Sequence, residues 1–455
     1  INMKNLKLLI LCIGLLANYK AYSQNIKDDL LNTEVKKINR NGYEYVERDL
    51  SQVLIYVSSK IDKKVHSDSS EYYWNYYLNL PHPSVATLKM YFKDAAEEFN
   101  VPQYLLEVIA YTENNWTHIG PSIDRGWGVM HLVENNYCNT LNDAAILLNI
   151  DKTALKNNAQ QNIRGAAALL SFYAGENSKY FAKPENWFDA AKKFTGLINN
   201  ELQVKQAKTY FDNLKNGIIS KTLWDEEIII EPFYNIDISP ELLKFNVYKN
   251  NKTTDYASAI SGFIPCNYAS GRSHTIDTWV HHWIGTGTYA GALSWFNNCS
   301  AQASAHFVIR SSDGEITQCV EVNNTAWHCG ASGYPNNSRS IGVEHEATAA
   351  NPSLWNSTAM LQASANMTCY FTKTYPIPST LHSSPGICGH NEMPGTNTAC
   401  PGSLPWSLWE NYYNSCMGIS QSPQNLITNF QNCSNNNVTF SWNNSGNGWY
   451  IAVST

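Results

Sequence analysis

Charge is what this sequence has least of. Only 15% of its 455 residues are Asp, Glu, Lys or Arg, and 32 basic against 38 acidic side chains leave a formal net charge of −6. Without a basic excess there is no electrostatic footprint for a phosphate backbone, so nucleic acid is not an expected partner. Long apolar runs are also scarce. The run from Leu8 to Ala17 follows Lys4 and Lys7 and stops before Ala21-Tyr22-Ser23. It is too short to anchor in a bilayer and has the layout of a secretory signal peptide over residues 1–23, with Met3 as its start. No later stretch is apolar for long enough to cross a membrane. The expected location is therefore secreted, or periplasmic within the cell envelope.

Cysteine is not scarce: there are 11. Cys12 would leave with the signal, and Cys266, Cys299, Cys319, Cys329, Cys369, Cys388 and Cys416 crowd one region. Disulfides suit an oxidising compartment, but their connectivity is not readable from spacing. Aromatics make up 12% of the chain, with 27 Tyr and 14 Trp beside abundant Asn and Ser. Flat rings and neutral amides suit sugar-containing ligands, and equally an ordinary core and surface.

The length implies two or three domains. Residues 24–83 read as a polar leader that packs against the first domain. From 84 to 220 the pattern is helical. Val85 to Phe99 carries apolar residues at helical spacing, and Asn100-Val101-Pro102 opens a second helix that runs to Thr112-Glu113. Asp124-Arg125-Gly126-Trp127-Gly128-Val129-Met130-His131 and then Asn162-Ile163-Arg164-Gly165 come next. A helix ending in glutamate, a Gly-x-Gly-x-Met turn and an Asn-Ile-Arg-Gly helix resemble the lysozyme-like fold of soluble lytic transglycosylases. That resemblance implies that Glu113 is a general acid on a glycosidic oxygen, which needs a raised pKa. Two positions depart from the family pattern: Asn114 stands after the glutamate where serine is usual, and His131 after the methionine where glutamine is usual. The other reading is a helical module kept for glycan binding or packing. Residues 221–255, with the strand-like Glu226 to Glu231, read as a linker.

The densest chemistry lies between residues 256 and 417. Of the 12 His, eight fall between His274 and His390. Neutral imidazole and thiolate are zinc's preferred ligands, so this clustering points to a borderline-soft metal. Thr278 to Trp283 reads as a strand and Tyr289 to Phe296 as a helix. His306 to Arg310 and Glu315 to Val320 form a hairpin across Ser312-Asp313-Gly314. Ser340 to Glu346 is another strand, and Pro352 opens a helix to about Thr374. The sum is an α/β domain with a mixed central sheet. His281, at a strand end, with His390 and Cys400 on a Pro- and Gly-bearing loop, would leave a fourth coordination position open, the catalytic rather than structural kind of zinc site.

Five motifs occur here in order: Val280-His281-His282, Ala305-His306-Phe307-Val308-Ile309, Ala326-Trp327-His328, Ile341-Gly342-Val343-Glu344, and Gly389-His390 with Cys400-Pro401-Gly402. Together they resemble the N-acetylmuramoyl-L-alanine amidase type 2 family, relatives of peptidoglycan recognition proteins. The resemblance implies a zinc hydrolase that cuts peptidoglycan between N-acetylmuramic acid and L-alanine. It implies Zn2+ on His281, His390 and Cys400, with His282 packing or behind the ligands, and Glu344 as general base. Where one branch has a tyrosine before His306 this chain has Ala305, which leaves base duty to Glu344. Where many members have an oxyanion-steadying lysine, it has Thr398, whose hydroxyl offers a hydrogen bond without charge. Trp327, His328 and His306 are expected to line the substrate cleft; Trp327 and His328 could equally be core.

The last segment, 418–455, has strand-like Val438 to Trp442 and Trp449 to Val453 and resembles the start of a fibronectin type III-like β-sandwich, too short to be complete. The expected protein is thus multidomain, with peptidoglycan as partner and an open oligomeric state. Two rival readings stand beside the amidase: a recognition module without turnover, and a glycan-cutting transglycosylase acting through Glu113.

Overall fold

The computed structural model describes residues 35–40, 43–48, 70–176, 178, 181, 183–244, 252–331 and 333–419. The signal-peptide residues and the β-sandwich-like segment from Ser420 onward lie outside the described residues.

The first unit is helical: α1 (Ser70–Asn79), α2 (Val85–Phe99), α3 (Gln103–Asn114), α4 (Thr140–Leu148), α5 (Lys152–Asn157), α6 (Ala159–Ala174), α7 (Phe188–Phe194) and α8 (Asn200–Asn216). In α2, the buried pairs Tyr91-Phe92 and Ala95-Ala96 alternate with the exposed pairs Lys93-Asp94 and Glu97-Glu98, the two-on, two-off rhythm of a 3.6-residue period. Ser84 caps the helix by accepting the Thr87 N–H at 3.2 Å, and Asn100 ends it in the left-handed region at φ 55°. Glu227–Ile230, expected in a linker, pairs instead with Ile218–Lys221 directly after α8. Its Ile228 and Ile230 enter the helical core, so this stretch packs as part of the first unit.

The second unit is built on a six-stranded mixed sheet. Its strands are β1 (Ala259–Ser261), β2 (Thr278–Gly285), β3 (Phe307–Ile309), β4 (Ile316–Gln318), β5 (Ser340–Thr348) and β6 (Gly386–Gly389), in the spatial order β6-β2-β5-β3-β4-β1. Neighbours run parallel except β3 and β4, the hairpin turned by Gly314 at φ 75°. Helix α9 (Tyr289–Asn297), the short α10 (Asn336–Arg339), α11 (Thr358–Thr374) and α12 (Trp406–Met417) complete it.

Strand alternation gives the sheet two different faces. Trp279, Phe307, Ile309, Ile341 and Val343 form one core with α11 and α12, through Phe371 and Trp409 among others. A disulfide, Cys369–Cys416, ties those two helices together, and Cys266–Cys299 joins the chain before β2 to the end of α9. The opposite face receives α9, whose Ala292, Leu293 and Phe296 pack with Val308. Leu197 and Leu202 of the helical unit join that second core, so the two units share apolar packing at α9.

Candidate metal centre and its surroundings

Parallel pairing fixes which side chains meet. On β2 and β5, His282 lies beside Glu344 and Val280 beside Gly342; on β6, Cys388 lies beside Val280. Neighbours in register point to the same face, so His282, Glu344 and Gly342 share one side. His281 points to the other side, into the core.

The structure brings His282, His390 and Cys400 together, with one donor atom from each lying within 4.8 Å of the others. His282 Nδ1 is 3.6 Å from Cys400 Sγ. Zinc with a sulfur at about 2.3 Å and a nitrogen at about 2.05 Å, at a tetrahedral angle, requires an S···N separation of about 3.6 Å. Burial holds His282 well below the ordinary histidine range, with His390 and His328 adding to the effect, and lowers His390 to about 4. Both rings are therefore neutral, the form that has a lone pair to give a metal. The donor set fits zinc.

The loop carrying two of these groups is closed by its own backbone. Asn391 N–H donates to Cys400 O at 2.8 Å, and Thr396 Oγ1 donates to His390 O at 2.7 Å. A Cβ on Gly389 would come within 2.6 Å of the Pro401 ring, so the tight closure excludes a larger residue there. The Trp283 N–H points at Cys400 Sγ at 3.4 Å, a donor suited to a thiolate.

The expected ligand His281 is thus corrected to His282. His281 is fully buried with its ring 4.7 Å from Trp409 and 5.3 Å from His345, centroid to centroid. Neither of its nitrogens has a hydrogen-bond partner among the described residues.

Glu344 sits beside His282 in a nearly closed environment, 9% exposed. Burial alone pushes its carboxyl up to about 8, and Oε2 has no hydrogen-bond partner among the described residues. Thr398 lies two residues before Cys400, and its Oγ1 accepts the Cys400 N–H at 3.1 Å. Trp327 is 36% exposed. His306 does not line a cleft: it is fully buried, takes the Gly342 N–H on Nδ1 at 3.1 Å, and lies 2.7 Å from the Arg272 guanidinium. His306 lies one residue ahead of β3, where its ring accepts from the Gly342 N–H rather than turning outward. His328 has both ring nitrogens engaged, one on His282.

Residues 272–403 match the family described as N-acetylmuramoyl-L-alanine amidase. The N-acetylmuramoyl-L-alanine amidase A of Achromobacter lyticus is 38% identical over 172 residues, which is 34% of this chain and 92% of that protein. The chain belongs to the N-acetylmuramoyl-L-alanine amidase family. Among solved structures, the catalytic domain of XlyA is 20% identical over 34% of this chain and 98% of its own, with a TM-score of 0.28. The Staphylococcus aureus hydrolase AmiA in complex with its ligand is 21% identical over 38% and 89%, also at 0.28. The family match lies within the α/β unit and leaves the helical unit outside it.

In that helical unit Glu113 is enclosed rather than open, at 5% exposure. Its Oε1 accepts Gln206 Nε2–H at 2.7 Å and the Tyr210 hydroxyl, and Oε2 is 3.3 Å from His131 Nδ1. His131 Nε2 in turn lies 3.0 Å from Asp124 Oδ1. A Cβ on Gly126 would fall 2.2 Å from the His131 ring, and one on Gly128, at φ 78°, would fall 2.2 Å from Asn162 Nδ2. The two glycines of the Gly-x-Gly-x-Met turn thus make room for these side chains.

Proposed function

We propose that the amidase unit is a zinc-dependent, exported peptidoglycan hydrolase that cuts the amide between N-acetylmuramic acid and the L-alanine of the stem peptide. The observation that carries this reading is the convergence of His282, His390 and Cys400 on the sheet face that also bears Glu344. Zinc held there supplies Lewis acidity toward a water and the scissile carbonyl. Glu344 takes the proton of the attacking water and returns it to the departing alanine amine, a role suited to a carboxyl whose burial raises its basicity. The Thr398 hydroxyl donates to the developing oxyanion without adding charge. Trp327, exposed and next in the chain to His328, offers a flat face to the sugar or stem peptide.

Export rests on the signal-like N-terminus and agrees with the two disulfides. No helix among the described residues is long and apolar enough to cross a membrane. The helical unit, lysozyme-like in its motifs, is assigned to gripping glycan and bracing the amidase rather than cutting, because the Glu113 carboxyl is buried, with Oε1 held by Gln206 and Tyr210 and Oε2 facing His131 at 3.3 Å.

The test is mass spectrometry of purified peptidoglycan after digestion by the full chain, by Glu344→Gln and by chelator-treated protein. Free stem peptides should appear with the wild type and fall by at least about 100-fold in Glu344→Gln, a loss typical of a general base. Chelation should abolish release and zinc restore it, with no anhydro-sugar products in any arm. Binding without release by the wild type would leave the recognition-module reading standing instead.

A further inference from the structure

His282 keeps one nitrogen for the metal group and spends the other on His328. Its Nε2 lies 2.9 Å from His328 Nδ1. With Nδ1 of His282 turned to Cys400 Sγ and giving its lone pair to the metal, the ring proton sits on Nε2 and is donated to His328. His328 then carries its own proton on Nε2, 3.2 Å from Ser340 Oγ, and the Ser340 hydroxyl donates to Asn336 O at 2.6 Å. The Cys329 thiol flanks the line, with Sγ 3.9 Å from His328 Nε2 and 3.5 Å from Ser340 Oγ, and the line ends on a backbone carbonyl.

The backbone is shaped around the His328 ring. A Cβ on Gly342 would fall 2.4 Å from His328 Nδ1, so the glycine of Ile341-Gly342-Val343-Glu344 is the floor on which the ring lies. Asn337 Oδ1 accepts the backbone N–H groups of His328 and Cys329 at 3.1 and 2.8 Å, fixing the segment that carries the ring. Ser340, which opens β5, and Asn336, in α10, are set by the same short segment.

We infer that His328, with Ser340 behind it, is the positioning residue that holds His282 in the Nδ1-donor tautomer and orientation. The inference rests on the proposed metal site. A ligand histidine whose distal N–H is anchored loses less orientational freedom on binding and is the stronger base, and such anchors are worth roughly 10- to 100-fold in metal affinity. His328 therefore acts through His282 rather than by touching the substrate.

The experiment measures zinc affinity of the full chain by competition with a chromophoric chelator, with substrate absent. His328→Asn keeps an acceptor close to the Nδ1 position; His328→Phe keeps the ring volume and removes the acceptor. Expected are wild-type-like affinity within about threefold for Asn and a loss of about 10- to 100-fold for Phe. Ser340→Ala, which leaves the His328 ring in place, should show a smaller loss of the same sign. It also serves as the acceptor-chain test if the metal-free Phe variant melts well below the wild type. Equal affinity in wild type, Phe and Ser340→Ala overturns the proposal, and so does an Asn variant as weak as Phe. A wild-type chain that binds no zinc would instead sink the metal-site reading beneath it.

Discussion

One peptide unit separates His281 from His282, and a strand turns that step into opposite faces of a sheet. Reading two adjacent histidines is therefore a question of register, and register depends on which residues of β5 and β6 lie alongside β2. The sequence shows that one histidine shares parity with Trp279 and the other with Val280. It does not show that Val280 neighbours Gly342 and Cys388, the contact that puts His282 with Glu344 and His390. The large Trp279 was the available signal, since a tryptophan marks the face that fills a core. The difference is measurable. His282→Leu should lose stoichiometric zinc. His281→Leu should retain it and melt at the same temperature or higher, because an apolar side chain of similar size replaces a buried ring whose nitrogens are unpaired. Metal analysis and calorimetry of the two variants check this, and zinc loss in His281→Leu would reverse the assignment. His390, in a 3-10 turn just after β6, and Cys400, on the loop beyond it, stand outside the strands, where no alternation has to be resolved.

At the scale of elements, local chemistry did more. The Asp313-Gly314 turn, the Ser84 cap and the two-on, two-off burial of α2 are signals carried within a few residues, and each element stands where those signals put it. Long-range partners were not legible. The helix expected from Pro352 breaks into a short 3-10 turn, Pro352–Asn356, and then α11, because Ser357 restarts it by accepting the Met360 N–H while donating to Ser311 O on the β3–β4 turn. Glu227–Ile230 looked like a connector because its strand partner lies upstream across a turn rather than in the next domain. Disulfide connectivity was equally closed to the sequence, and the structure settles two pairs while leaving Cys319, Cys329 and Cys388 buried and reduced. The Cys369–Cys416 bridge closes a separation of 47 residues between α11 and α12, on the face away from the metal group. Replacing both cysteines by alanine should destabilise the protein by roughly 4 kcal/mol through the freed unfolded chain, with zinc affinity unchanged. Urea unfolding beside the chelator competition separates the two effects; a coupled fall in affinity would mean that the helix pair also tensions the site.

At the scale of the molecule, the two units are fitted together around the strand that carries His282. Trp74 of α1 donates to Pro121 O at 2.7 Å and stacks edge-on against Trp283 at 6.3 Å. A Cβ on Gly285, at φ 82°, would fall 2.2 Å from the Trp74 ring, and one on Gly402 would fall 2.4 Å from Trp283. The helical unit thereby bears on the residues flanking both His282 and Cys400. Beside this contact the loop after β2 approaches the buried ion cluster: a Cβ on Gly287 would lie 3.6 Å from His131 Nε2. Burial alone would lower His131, but Asp124 and Glu113 on either side outweigh it and hold the ring at about 9. Burial raises Glu113, opposed by His131 and Tyr210, while Asp124 stays low because His131 and Ser122 outweigh its burial. Tyr210 and Tyr137 are the other titratable groups facing these carboxylates, and burial raises both, so they stay protonated through the alkaline range in which His131 titrates. A histidine raised on folding from 6.5 to about 9 holds its proton more tightly when folded. The stability it contributes is complete below about 6.5 and is lost as pH climbs through about 9. The wild-type melting temperature should therefore fall on the alkaline side, between about pH 7 and pH 9.5. His131→Gln should melt lower than wild type near pH 6.5, because two carboxylates lose their shared cation, and its curve should be flatter through the same window, so that the two converge at alkaline pH. Calorimetry across the range decides it: parallel curves would mean that His131 does not carry a raised proton affinity in the folded chain.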